Sequence, residues 1–202
     1  MLEKTGRTPH EDTPTGGLML SDQTIKKLID DGEIKISGFT ERDLQAASVE
    51  LHLAGQLRTF DETPSRIVDV EEGTNVPTTE VDIGPEGYLL LPGDFVLGST
   101  MEIISLPDYI VGRIEGKSTL GRVALAIHAT AGFIDPGFSG DLTLEISNLA
   151  RHIIRLRPGM KIGQMALMMM DKPARRPYGH PELGSHYQNQ RGPTNARLSG
   201  QP

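Results

Sequence analysis

Leu142-Thr143-Leu144-Glu145-Ile146-Ser147-Asn148 is the stretch on which the fold turns. Apolar Leu142, Leu144 and Ile146 alternate strictly with polar Thr143, Glu145 and Ser147. A period of two puts one set on a buried face and the other on the opposite face of a strand in an antiparallel sheet. The same period recurs upstream, where Val49, Leu51 and Leu53 alternate with Glu50 and His52. Between and beyond these lie short apolar runs cut by turn residues. Tyr88 to Leu91 stops at Pro92-Gly93-Asp94, and Phe95 to Gly98 follows. Tyr109 to Ile114 ends near Gly116, Val123 to His128 runs into a loop over 130–140, and Ile153 to Leu156 stops at Pro158-Gly159. Many short strands at regular spacing predict an all-β sandwich, barrel or jelly roll.

Helix is sparse in this pattern. Ser21 is a good N-cap for a helix that places Ile25, Leu28 and Ile29 on one face and ends at Gly32. Thr40 is a candidate cap for a second short helix with Leu44 and Ala47 facing inward. With only four Tyr, five Phe and no Trp, the core must be built from Val, Ile, Leu and Met. Met165 and Met168 to Met170 fit as pliable core or interface filler. Residues 1–17 are polar, rich in Thr, Pro and Gly, and without periodicity. They are expected to form a disordered extension, followed by a β domain over 18–172 and a tail over 173–202.

The 202 residues suffice for one domain with a real core. The complete lack of cysteine excludes a disulfide framework and every thiolate zinc site. The net charge of −7 conceals an asymmetry: residues 1–150 hold 11 basic and 25 acidic side chains, residues 151–202 hold 9 and 2. An acidic whole argues against a general nucleic-acid binder, while the basic last quarter leaves room for a small anion. No apolar run approaches the ~18 residues of a membrane span. The first residues lack the apolar stretch of a secretory signal, so a cytoplasmic protein is expected.

Three segments carry potential chemistry. Gly116-Lys117-Ser118-Thr119-Leu120-Gly121-Arg122 has the ending of a phosphate-binding loop. Its upstream glycine is misplaced, however, and no helix pattern follows, so it does not satisfy that motif. What remains is a glycine-flanked turn with two hydroxyls, an ammonium and a guanidinium, suited to a polyphosphate or simply to solvent. Asp135, between Phe133-Ile134 and Pro136-Gly137, can close an Asx-turn or serve a site. Glu145, on the polar face of its strand, is either solvated or, if a loop covers that face, a desolvated carboxylate able to take and return a proton.

Taken together, GKSTLGR (116–122), HATAGFIDPGFSGDLTLEISN (128–148), RPGMKIGQ (157–164), RPYG (176–179) and GSHYQNQRGPT (184–194) form an ordered series. It resembles the signature of the dCTP deaminase branch of the dUTPase superfamily, from about Leu18 to Thr194. The resemblance implies a mainly β fold, a distorted β-barrel or jelly roll of the trimeric dUTPase type with a few short helices. It also implies a homotrimer with active sites at subunit interfaces. Glu145 would be the catalytic acid/base holding the water that attacks C4 of cytosine, with Ser118 near that water. Lys117, Ser118, Thr119, Leu120, Gly121 and Arg122 would surround the nucleotide. Asp135 would lie near the sugar, where the related dUTPases activate water against the α-phosphorus. Thr143 and Leu144 would lie along the pyrimidine, and Gln164, Tyr178, His186 and Gln190 would complete the site, with the tail closing over it. Magnesium would accompany the triphosphate of dCTP or dUTP. Zinc is not implied, because zinc deaminases need cysteines that this chain lacks. The resemblance further implies dTTP as an inhibitor and no nucleic-acid or membrane partner.

The chain departs from the family pattern at two positions. Lys117 stands where most members have Arg, replacing a bidentate donor with a point charge. His186 stands where members commonly have Lys. An imidazole in general loses its charge across the neutral range, so nucleotide binding is expected to weaken as pH rises through about 6 to 8. Gly132-Phe133, ahead of Ile134-Asp135, resembles the members that form dUMP, whereas deaminase-only members carry a bulky His-Arg pair there. The reading is therefore a bifunctional hydrolase that converts dCTP to dUMP and pyrophosphate, supplying thymidylate synthesis. The alternatives are an enzyme that releases dUTP, a plain dUTPase, or a catalytically silent nucleotide-binding regulator.

Overall fold

The computed structural model describes residues 18–61, 67–70 and 76–198; the segment 1–17 expected to be disordered lies outside the described residues. Strands dominate. The principal sheet is antiparallel and runs Leu125–Ala126, Thr143–Asn148, Phe95–Thr100, Ser48–Phe60, Lys161–Met169, Ile110–Gly116, Phe133–Ile134. Its spine is the 13-residue strand Ser48–Phe60. The first half of that strand pairs with Lys161–Met169, and the second half pairs with Phe95–Thr100 on one side and Thr78–Asp82 on the other. A register shift between Leu53 and Leu57 marks the change of partner, and it curls the sheet around its own apolar face.

That inner face is aliphatic, as the composition requires. Leu51, Leu53, Leu57, Leu144, Ile146, Ile162, Met165 and Leu167 are fully buried, and Phe138 is the only buried aromatic residue among those described. Met168 and Met169 pair instead with the short strand Leu18–Met19. Gly98 sits opposite Leu144, and a Cβ added there would stand 2.8 Å from Ile146 Cδ1. The glycine thus lets the two strands and their core residues close up.

The helix expected after Ser21 spans Asp22–Asp30, with the Ser21 side chain accepting from the Thr24 amide and Gly32 at φ +76° beyond its end. Ile25 and Leu28 face the core. Three expectations are corrected. Thr40 caps only a 3-10 turn, Glu41–Asp43, after which Leu44–Gln45 pairs as a strand with Ser48–Val49. The segment after Lys117 does contain helix, a single turn over Ser118–Gly121. The strand read over 123–128 shrinks to Leu125–Ala126, because Ala124 takes a left-handed conformation (φ 59°) as the chain leaves that turn.

The described tail, 173–198, lies back on the barrel. Tyr178 N–H donates to Pro136 O at 2.8 Å, Asn189 N–H to Ser139 O at 2.7 Å, and Gln190 bridges Gly140.

Candidate active site

The alternation that defines Thr143–Asn148 aims Leu144 and Ile146 into the core and Thr143, Glu145 and Ser147 to the other face. A loop covers that face. The backbone N–H groups of Ala129 and Thr130 both donate to Glu145 Oε2, at 2.7 and 2.9 Å. One carboxylate oxygen is therefore pinned, which leaves Oε1 free of those two donors. Glu145 is half-buried beneath this loop.

Glu145 lines a cavity of about 430 Å³ together with Asp135, Thr143, Phe133, Tyr178 and Gln190. This volume suits a small ligand. Its apolar wall includes Phe60, Leu97, Ile114 and Leu142, and its far side is formed by the tail residues Thr194, Asn195, Ala196 and Leu198. Asp135 accepts no hydrogen bond at its carboxylate among the described residues, so the Asx-turn reading is not realised. Although Asp135 as a residue is exposed, partial burial of its carboxyl against the cavity wall pushes its pKa up. A smaller hollow of about 330 Å³ adjoins, sharing Asp135, Tyr178 and Tyr187 and adding Arg176, Ser185 and His186. It is the cationic edge of the site.

Several of the cavity's polar groups are held by the protein itself. The Tyr178 hydroxyl accepts from Tyr187 N–H at 3.0 Å, and its ring packs on Phe138 at 5.6 Å. Gln190 Nε2 donates to Asp141 O at 2.7 Å, while its Oε1 accepts from the Thr194 hydroxyl at 2.8 Å; that hydroxyl lies 3.2 Å from Thr143 Oγ1. Gly132 lies half-buried at the rim. A Cβ on it would stand 3.2 Å from Ile114 O and 3.4 Å from His128 Cε1, so a large side chain there would displace the loop that holds Glu145.

The fold does not bring every expected residue to this cavity. None of Lys117, Ser118, Thr119, Leu120, Gly121 and Arg122 lines it. Ser118, Thr119, Gly121 and Arg122 are exposed on the one-turn helix. The Lys117 ammonium is ion-paired with buried Glu50, which also binds Lys161. Burial penalises the Glu50 carboxylate, but the two lysines outweigh that cost and hold its pKa below the ordinary range. Gln164 accepts from Ser48 Oγ at 2.9 Å and donates to Gly116 O at 3.4 Å, which props the same turn from below. The Leu144 side chain is in the core and cannot lie along a ligand. The amides of Ala129 and Thr130 escaped the sequence reading because backbone donors carry no residue-type signal.

A family model described as dCTP deaminase-like matches residues 19–170. The chain belongs to that family. It is 47% identical over 178 residues to a Corynebacterium jeikeium protein named "dCTP deaminase, dUMP-forming", covering 88% of this chain and 95% of the relative. It is 48% identical over 181 residues to a protein of the same name from Mycobacterium sp. strain KMS, covering 89% and 95%. Among solved structures, the 2'-deoxycytidine 5'-triphosphate deaminase of Agrobacterium tumefaciens shares the fold, with a TM-score of 0.59 and 23% identity. That match covers 74% of this chain and 48% of the other, so this chain spans about half of that protein's length.

Proposed function

We propose that the chain is a bifunctional hydrolase that converts dCTP to dUMP, ammonia and pyrophosphate in the cavity around Glu145. The observation that carries this reading is the pinned carboxylate. With Oε2 fixed by two backbone amides, Oε1 is free to take a proton from a water aimed at C4 of a cytosine ring. The water oxygen bonds to C4, its protons pass through Glu145 to the ring nitrogen and the amino group, and the C4–N bond breaks to release ammonia and leave dUTP. A second water, directed by Asp135, then attacks the α-phosphorus. The bond to the pyrophosphate group breaks, giving dUMP. The raised pKa of the Asp135 carboxyl makes it a stronger base than an ordinary aspartate. Gly132, where even a Cβ would crowd Ile114 O, and the cavity-lining Phe133 are the pair expected of dUMP-forming members, which favours this reading over the deaminase-only alternative. The names of the relatives support the same product.

Magnesium enters as the partner of the triphosphate. Its ligands would be mainly the phosphate oxygens of the substrate. His186 and Arg176 border that end of the cavity.

The exposed turn Ser118–Gly121, which does not line its own chain's cavity, supports a homotrimer in which it completes the site of a neighbouring copy. Mixing Ser118→Ala and Glu145→Gln proteins, each deficient in ammonia release from dCTP, under subunit exchange tests this. Sites shared between copies recover activity in the hybrids, whereas sites confined to one chain do not.

A further inference from the structure

Asp141 belongs to neither half of this chemistry, yet its environment is unusual. It precedes Thr143 by two residues and Glu145 by four, and it is buried, with 7% of its surface exposed. Oδ2 accepts from the Gly192 N–H at 2.7 Å, and Oδ1 is buried without a partner among the described residues. A buried carboxylate with one hydrogen bond, favoured otherwise by the charge of Arg191 in the same tail, is a poor device for stabilising the sheet, since an apolar residue would avoid its desolvation cost. Its one bond reaches 51 residues along the chain, to the tail.

The backbone around Asp141 is shaped for the same contact. Gly140 (φ +151°) forms a parallel bridge with Gln190, and a Cβ on it would lie 3.2 Å from both Gln190 N and Gln190 O. Only a glycine lets the tail approach so closely. The Gln190 side chain returns to Asp141 O, and Thr194, two residues past Gly192, meets Thr143. From there Thr194, Asn195, Ala196 and Leu198 form the cavity wall facing Glu145.

We infer that Asp141 is a positioning residue: its carboxylate clasps Gly192 and holds segment 190–198 as the wall of the substrate cavity. The clasp acts on the complementarity of the cavity rather than on the reacting carboxylates. Loss of it therefore falls on KM more than on kcat. The kinetic part rests on the dCTP reading given above; the structural part does not.

Hydrogen exchange on the full-length protein without nucleotide tests the clasp, using the native protein, Asp141→Asn and Asp141→Leu. The Gly192 amide and peptides over 190–195 are protected in the native protein and in Asp141→Asn, whose amide oxygen can still accept. In Asp141→Leu, exchange over 190–195 rises about tenfold, as does KM for dCTP, the size expected for one hydrogen bond to a charged acceptor. Peptides over 143–148 keep their protection. A Gly192 amide that exchanges freely in the native protein would overturn the inference without any variant. So would equal loss of protection over 143–148, or a KM that stays put while the tail loosens. If the protein proves inactive on dCTP, the exchange result still stands, which separates failure of the clasp from failure of the substrate assignment.

Discussion

Glu145 Oε2 lies 2.7 Å from the backbone nitrogen of Ala129, so the strand that carries the proposed acid/base is fastened to the loop that runs on to Asp135. The two carboxylates of the proposed reaction thus sit on either end of one short connection, and a displacement of that loop is felt by both. Their tasks still differ. Replacing Glu145 with Gln keeps an acceptor for Ala129 and Thr130 but removes the proton carrier. Ammonia release from dCTP should fall about 10²- to 10⁴-fold, while pyrophosphate release from supplied dUTP stays within a few-fold of native. Equal loss of both would show that Glu145 serves both steps.

Asp135→Asn has the converse effect. Deamination continues, dUTP accumulates from dCTP, and pyrophosphate formation drops by a factor of about 10² or more. Chromatography of nucleotides against time separates these outcomes from a uniform loss of activity.

The Glu50 pair predicts the acid limit of stability. Its folded pKa is lowered by Lys117 and Lys161 despite burial, so its contribution is fully present above the unfolded carboxylate pKa and is lost as pH falls through the folded value. Melting temperature should drop on acidification below about pH 4.5. In Glu50→Gln, which leaves two partly solvated lysines without their partner, the neutral-pH stability falls and the dependence on acid becomes flatter. An unchanged acid slope in the variant would assign the effect to other carboxylates.

Gly98 offers a test of the core. Gly98→Ala places a methyl 2.8 Å from Ile146 Cδ1 and 3.2 Å from Leu53 Cδ1, which should cost about 1–3 kcal/mol in urea unfolding. Ile146→Ala, which empties a fully buried site, should cost about 2–5 kcal/mol. A neutral Gly98→Ala would mean that the two strands can separate without penalty.

The strands were legible wherever one face is buried and the other polar, because the pleat converts that difference into a period of two. Thr143–Asn148 is the clearest case, whereas in Ser48–Phe60 only the alternation over 49–53 could be read, and there Glu50 is buried as well. Short elements were not. Leu44 is strand rather than helix because it pairs with Val49 across a tight turn, a choice that tertiary pairing makes. Val123 is apolar but exposed, so an apolar run overstated its strand. In the site, Glu145, Asp135 and Thr143 could be named because one strand and one loop carry them. The bonds from Asp141 to Gly192 and from Thr143 to Thr194 join residues 51 positions apart and leave no local pattern.

Product analysis from dCTP with and without magnesium decides whether one chain both deaminates and cleaves the nucleotide. With magnesium, dUMP, ammonia and pyrophosphate should form in equal amounts, with no accumulation of free dUTP. Stoichiometric dUTP with ammonia and no pyrophosphate would contradict the bifunctional reading.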